Sequence, residues 1–266
     1  MATAHAPAET PPGALFVPAG GSNTPINLLV LLHGAGDAPA PFARLAAKLA
    51  LPGTAGLALK APFPCGPGTT WFAEGACDAA DAASLAAARP ALAAAIDGAG
   101  WPRHRVHLLG YGDGGSAALD LCVAGAGGVL GPGPPGSAGG GRRWGSCVTV
   151  GATLLPAQLA PADFNSAGRR GEQAAPPPPG TFTSTPILIT RGEGDTTGAP
   201  AALAGATLAA LQQRLGLPDA DLFTVKGKAE GMLGSSPAEA EAVMKHWARC
   251  LAASAPAGCE EVAADG

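Results

Sequence analysis

The chain has 266 residues, a net charge of −4 and an isoelectric point near 5.7, a balance that argues against a nucleic-acid-binding surface or a polybasic membrane patch. Hydrophobic residues make up 47% of the sequence and charged residues 14%. This composition suits one large folded domain that buries about three quarters of its unfolded surface, and no apolar run approaches the ~20 residues that cross a bilayer.

Apolar runs of strand-forming residues recur along the chain between glycines and prolines, and each predicts a β-strand. Because the runs are nearly continuous instead of alternating, they predict strands buried on both faces, as in a parallel sheet. The predicted strands cover residues 26–34, 55–62, 105–110, 146–151, 186–192 and 222–227.

Stretches rich in alanine between these strands predict helices. Pro90 is expected to kink or divide one of them, and Ser236 and Pro237 suit the N-cap and first position of the last. The alternation of strands and helices predicts an α/β fold with a mostly parallel, doubly wound sheet, whose functional residues lie beyond the carboxyl ends of the strands. The predicted helices cover residues 40–51, 78–100, 116–127, 199–216 and 236–254.

The ends of the chain and two internal segments are expected to lie outside the regular structure. We predict a flexible N-terminal segment at 1–25, a single domain at 26–254 and a flexible tail at 255–266. Glycine- and proline-rich insertions are predicted near 131–143 and 165–184. The first 25 residues contain no lysine or arginine and do not resemble a secretory signal or a transit peptide.

Six cysteines are spread along the chain without a C-x-x-C pair. In a chain of this length they predict reduced thiols in a cytoplasmic protein, and neither a disulfide framework nor a zinc site. The cysteines are Cys65, Cys77, Cys122, Cys147, Cys250 and Cys259.

Residues 105–121, RVHLLGYGDGGSAALDL, have the outline of a strand, a sharp turn and a helix. α/β-Hydrolases present their nucleophile at the centre of such a turn, in a G-x-S-x-G pattern whose first and last positions must be small. Gly110 and Gly114 satisfy that requirement with Gly112 at the apex. The apex is therefore predicted to carry no side chain.

Other centres for this turn fit less well. An apex at Asp113 would place Tyr111 at a position that must be small, and Ser116 would lie a full turn into the helix. Ser116 nevertheless remains the first alternative nucleophile, in the pattern Gly-Gly-Ser-Ala-Ala.

The glycine-rich turn LLHGAGD, at residues 31–37, ends the first long strand. Such a turn can direct a backbone N–H at a developing oxyanion, and Ala35 is the expected donor. The second donor would be the N–H of the residue after the apex, Asp113. Alone, the motif is typical of any tight turn between a strand and a helix; its meaning comes from the bend that follows it.

Five segments together resemble the acyl-protein thioesterase/carboxylesterase (phospholipase/carboxylesterase) family of α/β-hydrolases. They are LLVLLHGAGDAPAPFARLA, APFPCGPGTTWFA, RVHLLGYGDGGSAALDL, ILITRGEGD and LFTVKGKAEGM, and they span residues 28 to about 247. The resemblance implies the α/β-hydrolase fold in a single domain. It also implies a cofactor-free serine hydrolase that cleaves acyl thioesters and carboxylesters.

Only part of the family's catalytic triad carries over. Asp195, in the segment Gly-Glu-Gly-Asp, matches the family's acid, whereas Gly112 stands at the serine position and Glu230 at the histidine position. None of the histidines at positions 5, 33, 104, 107 and 246 is expected to act as a substitute. Glu193, Asp195 and Glu230 could together hold a cation, but we expect solvation or pairing with Arg191 and Lys228, and predict no metal site.

Three functions remain open from the sequence. The leading hypothesis is a catalytically impaired hydrolase-like protein that binds an acyl or ester ligand, or a protein partner, in its cleft. The second is an active carboxylesterase or thioesterase with a non-standard nucleophile such as Ser116. The third is a structural subunit, for which we expect a collapsed pocket.

Overall fold

A mostly parallel sheet forms the centre of the protein. The computed structural model describes residues 7–20, 25–73, 78–137, 141–159, 184–196, 198–229, 231–233 and 236–253. Seven strands in these ranges pair in the order β1-β3-β2-β6-β7-β8-β9, and only β1 runs antiparallel to its neighbour. The strands are β1 (Leu15–Val17), β2 (Asn27–Leu32), β3 (Thr54–Leu59), β6 (Val106–Tyr111), β7 (Ser146–Val150), β8 (Ile187–Gly192) and β9 (Ala220–Val225), and a separate hairpin joins β4 (Phe63–Cys65) to β5 (Gly68–Thr70).

Helices cover both faces of the sheet, and the side chains of β2 divide between the two faces. Leu28 and Val30 pack with apolar residues of α2, α3 and α5, whereas Leu29 and Leu31 pack with residues of α1 and α6. This double burial explains the unbroken apolar sequence of the central strands. The helices are α1 (Pro39–Leu49), α2 (Asp78–Asp97), α3 (Asp113–Ala126), α4 (Pro156–Leu159), α5 (Ala201–Gln213) and α6 (Pro237–Ala253), with a 3₁₀ turn at Arg103–Arg105.

The six strands predicted from the sequence are all present, and the α/β-hydrolase fold class is confirmed. Within the segment 1–25, which was expected to be flexible, β1 pairs with β3, a contact between residues about 40 positions apart that local sequence does not reveal. Pro90 does not divide α2, which runs from Asp78 to Asp97, and both Pro90 and Ala86 are exposed. No helix within the described residues is long and apolar enough to span a membrane.

The predicted insertion at 165–184 and the tail at 255–266 lie almost wholly outside the described residues. Of the insertion near 131–143, the described parts are turns and bends.

Candidate functional site

The chain bends sharply between β6 and α3, with Gly112 at the apex. Its φ of 51° and ψ of −124° lie in a region that side chains rarely occupy. A Cβ at Gly110 would collide with the Gly114 carbonyl, and one at Gly114 would collide with the carbonyl of Leu32. Close packing of strand, bend and helix therefore requires both flanking glycines, as the sequence pattern predicts.

The apex itself has room for a side chain. A Cβ built on Gly112 would have Gly34 Cα as its nearest neighbour, at 3.9 Å. The apex thus combines a backbone conformation that is rare for side-chain-bearing residues with open space, and it carries no side chain.

His33 holds the loop after β2 in place. The Ala61 N–H donates to His33 Nε2 at 3.2 Å, so the imidazole proton lies on Nδ1, which donates to the Gly34 carbonyl at 2.8 Å. The Trp71 indole N–H donates to the His33 carbonyl at 2.7 Å. His33 is completely buried and supports the loop from behind, so it is not available as a base.

The two residues predicted to supply the oxyanion-hole N–H groups, Ala35 and Asp113, both line a cavity at the bend. Neither N–H is engaged by another group within the described part of the chain. Asp113 is also the first residue of α3, where the helix dipole favours negative charge. The two groups predicted as an oxyanion hole therefore lie on the same cavity.

The Asp113 carboxyl lies at this cavity too. Burial raises the pKa of Asp113, while a hydrogen bond from the Thr70 hydroxyl to Oδ2, at 2.8 Å, opposes that rise. A carboxylate at this position disfavours any negative charge that develops beside it.

Asp195, the predicted acid, lies three residues beyond the end of β8 and also lines the cavity. Its side chain is 4% exposed, and Oδ1 accepts the N–H of Gly198 at 3.0 Å. Arg191 donates to the main-chain carbonyls of Ala199 and Asp195, at 2.7 and 3.1 Å. Hydrogen bonds between side chains and the main chain therefore fix the segment that carries Asp195.

Lys228 contributes a buried ion pair beside the cavity. Its ammonium contacts Glu239 Oε2 at 2.6 Å, and the Thr190 hydroxyl donates to Glu239 Oε1 at 2.7 Å. The acidic cluster of Glu193, Asp195 and Glu230 was expected to be solvated or to pair with Lys228 and Arg191; the ion pair described for Lys228 is the one with Glu239. The pair links the loop after β9 to α6 and β8.

That same loop was predicted to carry the histidine position. Lys228, Ala229 and Gly231 line the cavity, and Glu230 lies outside the described residues. The sequence of the loop, residues 226–236, contains no histidine at any position. Whichever loop residue faces the cavity, it cannot supply an imidazole.

The remaining histidines that the structure describes lie elsewhere. His107 is buried at the start of β6, with Nδ1 2.9 Å from the Ser146 hydroxyl, and His246 lies in α6 beside Cys250. His104 is in the 3₁₀ turn. None of the three lines the cavity.

Ser116 does not line the cavity either. Its side chain is buried in the first turns of α3 and donates to the Thr153 carbonyl at 2.7 Å. This placement does not favour Ser116 as the alternative nucleophile.

The cavity has a volume of about 180 Å³. Tyr111, Lys228 and Asp37 were not predicted as lining residues; Tyr111 could have been inferred from its place beside the apex, whereas the other two depend on how the loops fold. Within the described residues, no three His, Cys, Asp or Glu side chains are grouped as a metal site. The lining residues are Gly34, Ala35, Asp37, Tyr111, Gly112, Asp113, Gly151, Gly192, Asp195, Gly198, Lys228, Ala229 and Gly231.

Solved structures with the same fold are esterases and acyl-protein thioesterases. Esterase PE8 is 21% identical over 87% of this chain and 96% of its own, with a TM-score of 0.62. Acyl-protein thioesterase 2 of Zea mays is 20% identical over 90% and 98%, with a TM-score of 0.63, and a Bacillus cereus carboxylesterase is 17% identical over 89% and 93%, with a TM-score of 0.55. No protein-family model and no curated protein matches the sequence.

This chain therefore has the α/β-hydrolase fold, in the form that these esterases and thioesterases share.

Proposed function

We propose that this chain is a catalytically impaired protein of the acyl-protein thioesterase/carboxylesterase type, which uses its cavity to bind an acyl or ester ligand or a protein partner. The single observation that carries the proposal is Gly112, which occupies the apex of an intact nucleophile bend with open space and no side chain.

The described lining residues of the cavity supply no hydroxyl–imidazole or thiol–imidazole pair. Among them there is no serine, threonine, cysteine or histidine. Acyl transfer through a covalent intermediate needs a nucleophile and a base that accepts its proton. Loss of the nucleophile alone costs about a millionfold in turnover, which leaves ~10³–10⁴ over water from the oxyanion hole and binding.

The polar groups that remain suit a bound ester better than a reacting one. The N–H groups of Ala35 and Asp113 can donate to a neutral carbonyl oxygen. The Asp113 carboxylate beside them would oppose the negative charge of a tetrahedral intermediate. Because catalysis requires tighter binding of the transition state than of the substrate, this arrangement favours a binding role.

The two alternatives receive less support from the geometry. The Ser116 hydroxyl is committed to Thr153 and lies away from the cavity lining, which opposes its use as a nucleophile. A structural subunit was expected to have a collapsed pocket, whereas an open cavity of about 180 Å³ is present.

A fluorophosphonate probe tests the proposal. We expect no labelling of the wild type, and none of Gly112→Ala, the matched control that adds a Cβ without a hydroxyl. Gly112→Ser should be labelled when a histidine is added to the loop, first as Glu230→His and then at each position from 229 to 235 in turn.

Labelling of the wild type at a rate typical of serine hydrolases would overturn the proposal, and mapping the adduct would identify the nucleophile. Ser116→Ala addresses the named alternative directly. If it abolishes both labelling and ester hydrolysis while the protein stays folded, Ser116 is the nucleophile and the chain is an active esterase.

A further inference from the structure

A second and larger cavity lies under helix α2, away from the bend at Gly112. Its volume is about 370 Å³, within the range of small-molecule sites. It shares no lining residue with the cavity at Gly112. We call it the α2 pocket; it is lined by Pro11, Pro12, Leu59, Lys60, Pro62, Phe63, Trp71, Leu85, Ala87, Ala88, Ala91, Leu92 and Ala95.

Small side chains of α2 create the space. Alanines at four positions of the helix line the pocket together with the larger side chains of Leu85 and Leu92. Trp71 and Phe63 contribute aromatic surface from the other side. Because the indole N–H of Trp71 is bonded to the His33 carbonyl, the ring presents apolar surface only.

The N-terminal segment fixes one wall of the pocket. The Ala8 N–H donates to the Ala99 carbonyl at 3.3 Å, and β1 pairs with β3, so Pro11 and Pro12 lie between two attachment points. Proline has a fixed φ and loses little freedom on binding. The wall is therefore ordered before any ligand arrives, which lowers the cost of binding.

Lys60 is the only charged residue among the described residues that line the pocket, and its side chain is exposed. An apolar slot with one cation at its edge matches a molecule with an aliphatic chain and an anionic head. We infer that the α2 pocket binds a linear medium-chain fatty acid, with the chain against Trp71 and α2 and the carboxylate at Lys60. This site is independent of the proposed function of the Gly112 cavity.

Calorimetric titration of the full chain with octanoate, decanoate and dodecanoate, each below its micelle concentration, tests the inference. Each methylene buried should lower the dissociation constant about fourfold until the pocket is full. Ala91→Phe, which fills the pocket from α2, should weaken decanoate binding at least tenfold. Ala94→Phe is the matched control, because Ala94 is equally exposed on the same helix but does not line the pocket.

The head-group contact has its own test. Lys60→Met should weaken decanoate binding about two- to fivefold, as expected of an exposed ion pair, and leave binding of decanol unchanged. Lys60→Arg should restore the affinity for decanoate.

A spectroscopic measurement locates the chain. 11-Bromoundecanoate should quench tryptophan emission in the wild type, and the quenching should be lost in Trp71→Phe. An affinity that does not depend on chain length, equal effects of Ala91→Phe and Ala94→Phe, or quenching that persists in Trp71→Phe would each overturn the inference. Fatty-acid binding at the α2 pocket and fluorophosphonate labelling at the Gly112 cavity are measured independently, so failure of one proposal does not affect the other.

Discussion

Replacing Gly112 with alanine should destabilise the protein by only about 1–2 kcal/mol. The backbone conformation, with φ 51° and ψ −124°, costs a non-glycine residue about 1–3 kcal/mol. Alanine has less conformational freedom than glycine in the unfolded chain, and this difference offsets about 0.4–1 kcal/mol of that cost. No steric cost adds to this sum, because the nearest atom to the new Cβ would be 3.9 Å away.

For a chain of this size the expected fall in thermal midpoint is about 2–8 °C, measurable by circular dichroism or calorimetry. Gly114→Ala is the control, since its Cβ would overlap the Leu32 carbonyl and should cost more than about 4 kcal/mol. If Gly112→Ala proves as damaging as Gly114→Ala, the space at the apex does not exist, and the interpretation of Gly112 as a vacant nucleophile position is refuted.

Two further predictions concern buried charge. Glu239→Gln should destabilise the protein by about 3–5 kcal/mol in urea unfolding, because it leaves Lys228 buried without its charged partner. Lys245→Ala, which removes an exposed ion pair, should cost no more than about 0.5 kcal/mol. Equal effects of the two substitutions would contradict the prediction. Burial lowers the pKa of His107 to about 3 and that of His246 to about 4, so the unfolded chain binds protons at these histidines more readily than the folded one. The free energy of unfolding should therefore fall as the pH is lowered from about 6.5 towards 4, by up to about 1.4 kcal/mol per pH unit for each histidine. His246→Asn should make the dependence of the thermal midpoint on pH less steep, and an unchanged slope would argue against buried, neutral His246.

The sequence predicts the central strands well because each is buried on both faces by helices. Strand β8, for example, was expected at 186–192 and occupies Ile187–Gly192. The short strand β1 and the β4–β5 hairpin were not predicted, since each has only three residues per strand and depends on pairing with other segments. Helix α3 begins at Asp113, three residues before the predicted start. Glycines are typical of turns in a sequence, but Gly114 and Gly115 are buried in the first turn of this helix.

The residues of the candidate site likewise include some that the sequence could indicate and some that it could not. Local motifs could indicate that Gly112, Ala35 and Asp195 line one cavity, because each lies within three residues of a strand end that the sequence marks. The partner of Lys228 could not be predicted, because Glu239 lies on the following helix. Glu239 also accepts a hydrogen bond from Thr190, 49 residues earlier in the chain. Such contacts depend on how the loop and helix pack.

Packing and backbone hydrogen bonds impose the bend after β6. Gly112 donates its N–H to the Val150 carbonyl at 3.1 Å, and its own carbonyl accepts the N–H groups of Gly115 and Ser116 at 2.8 and 3.1 Å. A side chain at Gly112 takes part in none of these bonds, and a glycine there carries less strain than a serine would. The bend therefore does not depend on a serine at its apex, so an intact bend is not by itself a sign of activity. The groups that surround the apex must decide the function, and the described ones include Tyr111, Asp113, Asp195 and Lys228 but no serine, threonine, cysteine or histidine.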